Sequence, residues 1–175
     1  WVRHRTANIN EYSLRYSEAR DEFYLPDPEH IQFQSSLNKQ GRLGEVSDSL
    51  KAKVSDYFQE ISNRSFEIYS ELNDAGVARE LARAILPVNL YTEWYWKNDL
   101  HNLLHFVGLR SDSHAQYEIR VFSDAMAESV KKVAPFAWEA YQDYVISGLR
   151  FSRIEQSLLE QNLPERVIDD ILEDI

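Results

Sequence analysis

The chain has no cysteine, and only five glycines and five prolines in 175 residues. Without cysteine it can hold no disulfide, no thiolate metal site and no iron–sulfur cluster within itself. Its glycines form neither GxGxxG nor GxxxxGK[ST], which excludes a Rossmann or P-loop phosphate cradle in this chain. No apolar run approaches the roughly 18 to 20 residues that cross a bilayer. The start shows no signal-peptide pattern, and a cytoplasmic protein without membrane partners is expected. Positive charge is also scarce: Lys and Arg number 19 against 29 Asp and Glu, a formal net of −10. That balance disfavours nucleic acid as a partner, because such affinity comes mainly from phosphate neutralisation.

What is present argues for an ordered domain. Apolar residues make up 43% and aromatics 13%, too much for a disordered chain, and the length suffices for one domain with a core. Charge is unevenly placed. Residues 1–20 carry four Arg against Glu11 and Glu18, a local balance of +2, while residues 155–175 carry seven acids against Arg166, a balance of −6. A small anionic ligand near the first segment fits this better than a polyanion.

Pattern and punctuation predict the elements. A short strand is expected at Asp21–Leu25, ended by Pro26-Asp27-Pro28. Residues 29–49 read as a loop with at most a short helix. A long helix over 49–73 is capped by Asp48, carries Leu50, Val54, Tyr57, Phe58, Ile61, Ile68 and Leu72 at helical spacing, and stops at Gly76. A short helix follows at Ala78–Ile85, then a strand at Asn89–Trp96. Asn98 or Asp99 caps a helix to about Val107, ended by Gly108. Ser113 opens another to about Val133, with Ala115, Ile119, Phe122, Met126, Val130 and Val133 facing the core. A helix near 136–146 is anchored by Trp138 and Tyr141. The tail 151–175 reads as helical, acidic and broken at Pro164. The fold class expected is α+β, mostly helical with a small antiparallel sheet.

The run RHRTANINEYS, continuing into LRYS, is the densest polar feature. Arg3-His4-Arg5 repel one another unless something anionic sits among them. Two forked guanidiniums suit a pyrophosphate or carbonyl, and His4 titrates near neutrality. If the chain is extended here, Glu11, Ser13 and Arg15 face the same way, so that a phosphate fits between Ser13 and Arg15 while Glu11 accepts from a sugar or base. A solvated basic surface is the ordinary alternative.

RHR-x7-S, with Leu14-Arg15 behind it, resembles the signature of the flavin-dependent thymidylate synthases. So do DEFYLP (Asp21–Pro26), ARAILPVNLYTEWYW (Ala82–Trp96) and LRSDSHAQYE (Leu109–Glu118), in the same order; the resemblance covers roughly Arg3 to Tyr144. It implies a thymidylate synthase-complementing protein-like fold over residues 1–150, N-terminally incomplete because the family carries a sizeable segment before its motif. Residues 151–175 lie outside it as an acidic helical extension. It further implies reductive methylation of deoxyuridine monophosphate (dUMP) to dTMP, with FAD, NADPH as reductant and methylenetetrahydrofolate as co-substrate, in a homotetramer with shared active sites.

Carried over residue by residue, the resemblance assigns FAD to Arg3, His4, Arg5, Glu11, Asp99, His101, His105 and His114. It assigns dUMP to Arg3, Glu11, Tyr12, Ser13, Leu14, Arg15, Arg83 and Arg110. Arg110 is the catalytic assignment, a guanidinium that contacts the uracil ring and helps ionise its N3. Where the family often has Asn, this chain has Asp99. With no thiol to add to uracil C6, activation falls to Arg110 and the flavin. Ser13 is assigned to phosphate, since a hydroxyl needs a base to become a nucleophile. Two rivals stay open. One is a catalytically silent nucleotide-binding or assembly module. The other is a metal hydrolase built on His101 and His105, four apart on one helix, although Asn102 stands where the metalloprotease pattern needs Glu.

Overall fold

The computed structural model describes residues 1–36 and 41–162. The chain divides into two compact units, Trp1–Ala127 and Glu128–Ile175. The architecture is α+β and mostly helical, with two antiparallel two-stranded sheets among the described residues, as the sequence pattern predicts.

In the first unit, β1 (Asn8–Glu11) pairs antiparallel with β4 (Trp94–Lys97), Asn8 opposite Lys97 and Glu11 opposite Trp94. This sheet joins the polar N-terminal segment to the aromatic run some 90 residues on. Along β4, Trp94 and Trp96 are half-buried while Tyr95 and Lys97 are exposed, the period-2 pattern of a one-sided strand. The second sheet pairs β2 (Gln32–Gln34) with β3 (Arg42–Glu45). Gln32 faces Glu45 and Gln34 faces Arg42, so β3 holds one residue more than β2. Gly44, at φ +85°, lies within that bulge, where a left-handed backbone favours glycine.

Helix α1 (Asp48–Asp74) begins at Ser47, whose hydroxyl accepts from the Leu50 N–H at 3.4 Å. Its 27 residues span about 40 Å at the α-helical rise. It ends where Gly76, at φ +78°, lets the Val77 N–H return to the Leu72 carbonyl at 2.9 Å, a left-handed cap. Helix α2 (Arg79–Ala82) tightens into a 3₁₀ turn over Arg83–Ile85. Helix α3 (Leu100–Arg110) is capped by Asp99, which accepts from the Asn102 N–H at 2.9 Å and from its side-chain amide at 2.6 Å. Helix α4 is Tyr117–Val133.

The core of this unit is aromatic. Phe106 is fully buried. Trp1 stacks on it at 5.0 Å and meets Trp94, Trp96 and Phe122 edge-on at 5.8, 5.4 and 5.6 Å, separations at which aromatic pairs attract. Tyr69, 2% exposed, and Ala82 are also buried. The second unit contains α5 (Pro135–Tyr141), a π turn over Gln142–Ile146 and α6 (Arg153–Asn162). Within it Trp138 packs on Tyr141 at 5.4 Å. The expected break at Pro164 lies outside the described residues.

Several expectations need correction. Residues 29–49 are not merely loop: they hold a 3₁₀ turn at Pro28–His30 and the β2–β3 pair, whose strand residues are all exposed and so leave no apolar alternation to read. The strand expected at Asp21–Leu25 is a single bridge, Phe23 to Leu90, and only Trp94–Lys97 of the aromatic run is strand. Ser47, not Asp48, caps α1, whose buried residues are Ser62, Ser65 and Tyr69, while Leu50, Tyr57 and Ile61 are exposed. Gly108 does not end α3, which runs on to Arg110 with Ser111 as its cap. Ser113 opens a turn, not a helix, and α4 starts at Tyr117. On α4 the buried positions are Ser123, Ala127 and Val130, with Phe122 and Val133 exposed.

Candidate functional site

The N-terminal motif meets the end of α3. The Arg110 Nε donates to His4 Nε2 at 2.9 Å, a partly buried bond between residues 106 apart. The His4 ring stands edge-on to Phe106, centroids 4.7 Å apart at 75°. Burial, and then the Arg110 charge, the Trp1 amino group and His105, hold His4 below its ordinary value. The two Nη groups of Arg110 have no protein partner among the described residues. The sequence pairs neither residue with the other; a 106-residue separation carries no local signal.

Arg3 and Arg5 are exposed and form no ion pair among the described residues. Glu11, at the end of β1, accepts from the Thr92 hydroxyl at 2.9 Å. The extended alternation from Glu11 to Arg15 does not hold. At Ser13 the chain turns, its carbonyl accepting from the Tyr16 and Ser17 N–H groups at 3.1 and 3.2 Å, so Arg15 does not share a strand face with Glu11. The Arg15 guanidinium instead lies 5.5 Å from the Tyr16 ring centre. Tyr12 is joined to Glu93 through its backbone N–H at 2.8 Å, and Leu14 lines a small crevice with Arg20 and Tyr91.

Arg83 is exposed on its 3₁₀ turn and bonds to none of Ser13, Leu14 or Arg15. The link between these segments is Arg79, four residues earlier. It donates to the Tyr16 carbonyl at 3.1 Å and to Glu18 at 3.2 Å. The Tyr69 hydroxyl, from the buried face of α1, accepts from the Ala19 N–H at 2.8 Å, and Arg20 pairs with Glu93. Three anchors thus fix the loop that carries Ser13 and Arg15, and sequence reasoning names none of them, since each looks like an ordinary surface or helix residue.

On α3, His101 and His105 are exposed and one turn apart. No group of three His, Cys, Asp or Glu residues able to hold a metal occurs among the described residues, so the hydrolase alternative gains no support. Asp99 is engaged as the helix cap, and the two bonds from Asn102, backbone first, hold its carboxyl below the usual range. His114 sits in an exposed turn rather than a helix, with its Nδ1 2.7 Å from Asp112 Oδ1. The backbone N–H and ring of His114 lower the Asp112 carboxyl in turn.

A wide cleft, about 1250 Å³, lies elsewhere. Trp94, Tyr95, Phe122 and Tyr24 line it together with Glu11, Tyr12 and Glu118, and neither Arg110, His4, Ser13 nor Arg15 reaches it. It contains no Lys or Arg, so it does not suit a phosphate. On its wall Glu118 Oε1 accepts from the Tyr24 hydroxyl at 2.7 Å and from Arg42 Nη2 at 2.6 Å. Burial, with the Glu118 bond behind it, pushes the Tyr24 phenol up to about 12.

Residues 1–136 match the family described as thymidylate synthase complementing protein. The chain belongs to that family. It is 48% identical over 161 residues to a flavin-dependent thymidylate synthase of Ehrlichia ruminantium strain Gardel, covering 92% of this chain and 54% of the relative. With a flavin-dependent thymidylate synthase of Dictyostelium discoideum the identity is 43% over 164 residues, covering 94% and 54%. The chain thus spans about half the length of these relatives. Among solved structures, a UMP/dUMP methylase, PolB from Streptomyces cacaoi, bound with 5-Br UMP, is similar with a TM-score of 0.76 and 33% identity, over 82% of this chain and 66% of that one. Family membership accounts for the four motif blocks together, and it covers both partners of the His4–Arg110 bond.

Proposed function

We infer that this chain forms the dUMP- and flavin-binding part of a flavin-dependent thymidylate synthase, which methylates dUMP to dTMP. The one-carbon donor is methylenetetrahydrofolate and the reductant is NADPH. The observation that carries this reading is the Arg110–His4 bond. It occupies the Nε edge of a guanidinium and, among the described residues, leaves the Nη fork without a protein partner, the arrangement needed to grip a planar ligand carrying adjacent acceptors. Uracil C5 is a poor nucleophile, and this chain has no thiol to activate it. A guanidinium fixed in a partly dry site stabilises negative charge developing on the pyrimidine. The dUMP phosphate is assigned to Ser13 and Arg15 on the anchored loop, with Tyr12 and Leu14 flanking and Arg83 on the segment that Arg79 ties to it. Glu11, steadied by Thr92, and Arg3 complete the nucleotide contacts.

FAD is assigned a second set of polar groups, which shares Arg3 and Glu11 with dUMP. Arg3 and Arg5 are exposed cations without a carboxylate partner among the described residues, which match a pyrophosphate in a chain that has no glycine cradle. His4, Glu11, Asp99, His101, His105 and His114 supply the further polar contacts of the assignment. When bound, FAD would supply the redox chemistry. Assembly as a homotetramer with shared sites would cover Tyr95 and Phe122, which are 84% and 52% exposed. Residues 1–150 form the synthase domain in this reading and 151–175 an acidic extension, in a cytoplasmic protein that binds neither nucleic acid nor membrane.

The test is direct. Purified protein mixed with FAD should show flavin absorbance that NADPH bleaches, and dUMP with methylenetetrahydrofolate should yield dTMP. Retained dUMP binding with no flavin absorbance and no dTMP from the complete enzyme would leave a silent nucleotide-binding module instead.

A further inference from the structure

We propose that His4 is a positioning residue for Arg110: a neutral imidazole, unprotonated at Nε2, that fixes the guanidinium by its Nε edge and so aims the Nη fork at the pyrimidine. This rests on the thymidylate synthase reading above for the identity of the ligand, but not for the state of the histidine.

The protonation state follows from the geometry. A guanidinium is always charged and has only donors, so its Nε–H must be the donor in the 2.9 Å contact. His4 Nε2 must therefore present a lone pair, which places the ring proton on Nδ1. The ring cannot easily turn away, because it packs edge-on against Phe106, itself fully buried beneath Trp1. The titratable and charged groups that face His4 are Arg110 and His105 from α3 and the amino group of Trp1 from its own segment. All are cationic or become so on protonation, and no carboxylate is among them. Burial and these charges together disfavour an imidazolium.

The consequence is a switch with a defined sign. His4 sits below its ordinary value of 6.5. At and above that value the ring is neutral and the bond is intact. As pH falls through the lowered value, the ring gains a proton, Nε2 loses its lone pair, and two positive groups stand in contact. Arg110 is then released. Asn or Gln side chains can accept the same bond without titrating, whereas Phe preserves the ring shape but cannot accept.

Two measurements test this. Long-range proton–nitrogen NMR on the ¹⁵N-labelled chain should show His4 protonated at Nδ1 only, titrating below its ordinary value of 6.5. Replacing Arg110 with Leu should remove that tautomer preference. In the complete enzyme, His4→Phe should lower kcat/KM for dUMP about tenfold to a hundredfold, the scale for a misplaced catalytic group, and abolish the acidic limb of its pH profile. His4→Gln should recover most of the rate with a flatter acidic limb. An Nε2–H tautomer in the unmodified chain would overturn the proposal, as would a folded His4→Phe enzyme with wild-type kcat/KM and an unchanged limb. If the unmodified complete enzyme makes no dTMP, the functional reading fails, and the NMR result still decides the state of His4.

Discussion

Glu118 offers the sharpest test of how the described fold is held. Its Oε1 takes two bonds, from Tyr24 and Arg42, which join the segment after the N-terminal loop, strand β3 and helix α4. A charge-assisted bond contributes roughly 1.5 to 3 kcal/mol where water is excluded, but an exposed ion pair only about 0 to 1 kcal/mol. The Arg42 and Glu118 side chains are 35% and 30% exposed, so the pair is taken at about 1 kcal/mol and the tyrosine bond at about 1.5 kcal/mol. Glu118→Ala should therefore cost about 2.5 kcal/mol, and Glu118→Gln, which keeps a neutral acceptor, about 1.5 kcal/mol. A double-mutant cycle of Glu118→Ala with Tyr24→Phe should show a coupling of about 1 kcal/mol. Urea unfolding followed by tryptophan fluorescence measures all three.

The pH dependence has a fixed sign at each end. Burial raises the Glu118 carboxyl, but the bonds from Arg42 and Tyr24 outweigh it, and the net shift is downward from 4.5. Its contribution is thus complete above about 4.5 and is lost as pH falls through the lowered value. Tyr24 is raised from 10.0 to about 12. The stability linked to its proton is complete below 10 and is lost as pH rises through about 12. Phenolate absorbance near 295 nm, compared with that of Tyr24→Phe, should show this late titration, and Glu118→Gln should bring it closer to 10. A coupling under about 0.3 kcal/mol, within the scatter of independent sites, together with an ordinary Tyr24 titration, would refute the reasoning.

Arg110→Ala in the complete enzyme should abolish turnover with the fold intact, a loss of several kcal/mol of transition-state stabilisation; near-normal turnover at saturating dUMP would remove its assignment. Ser13→Ala should weaken dUMP binding by roughly 1.5 to 3 kcal/mol and slow the saturated reaction less; calorimetric titration separates this from a nucleophilic role, in which binding survives and chemistry stops. Arg79→Ala should free the loop at Tyr16 and Glu18, seen as faster amide exchange over residues 14–19 and weaker dUMP binding. Unchanged exchange there would show that Tyr69 and the Arg20–Glu93 pair hold the loop without it.

Some of the fold was legible because its causes are local. α1 announces itself by spacing and by Gly76, which supplies a left-handed stop. α3 announces itself by Asp99, whose carboxylate caps Asn102. The β2–β3 pair was missed because its residues are all exposed and mostly polar, leaving no alternation to detect. The buried face of α1 was misplaced for a related reason. Periodicity finds an apolar stripe, but Ser62 and Ser65 are the residues that neighbouring elements cover, and small side chains are invisible to a hydrophobic pattern.

By itself the sequence determined the fold class, the long helix α1 with its Gly76 stop, the Asp99 cap of α3 and the family, because propensity, capping and motif order all act within a few residues or within a short word. The tertiary structure decided which of these words touch. His4 and Arg110 meet across 106 residues, the turn at Ser13 breaks an alternation that the sequence permits, and Arg79 becomes the anchor of a distant loop. Each depends on where packed elements place a donor relative to an acceptor, and no local pattern encodes that distance.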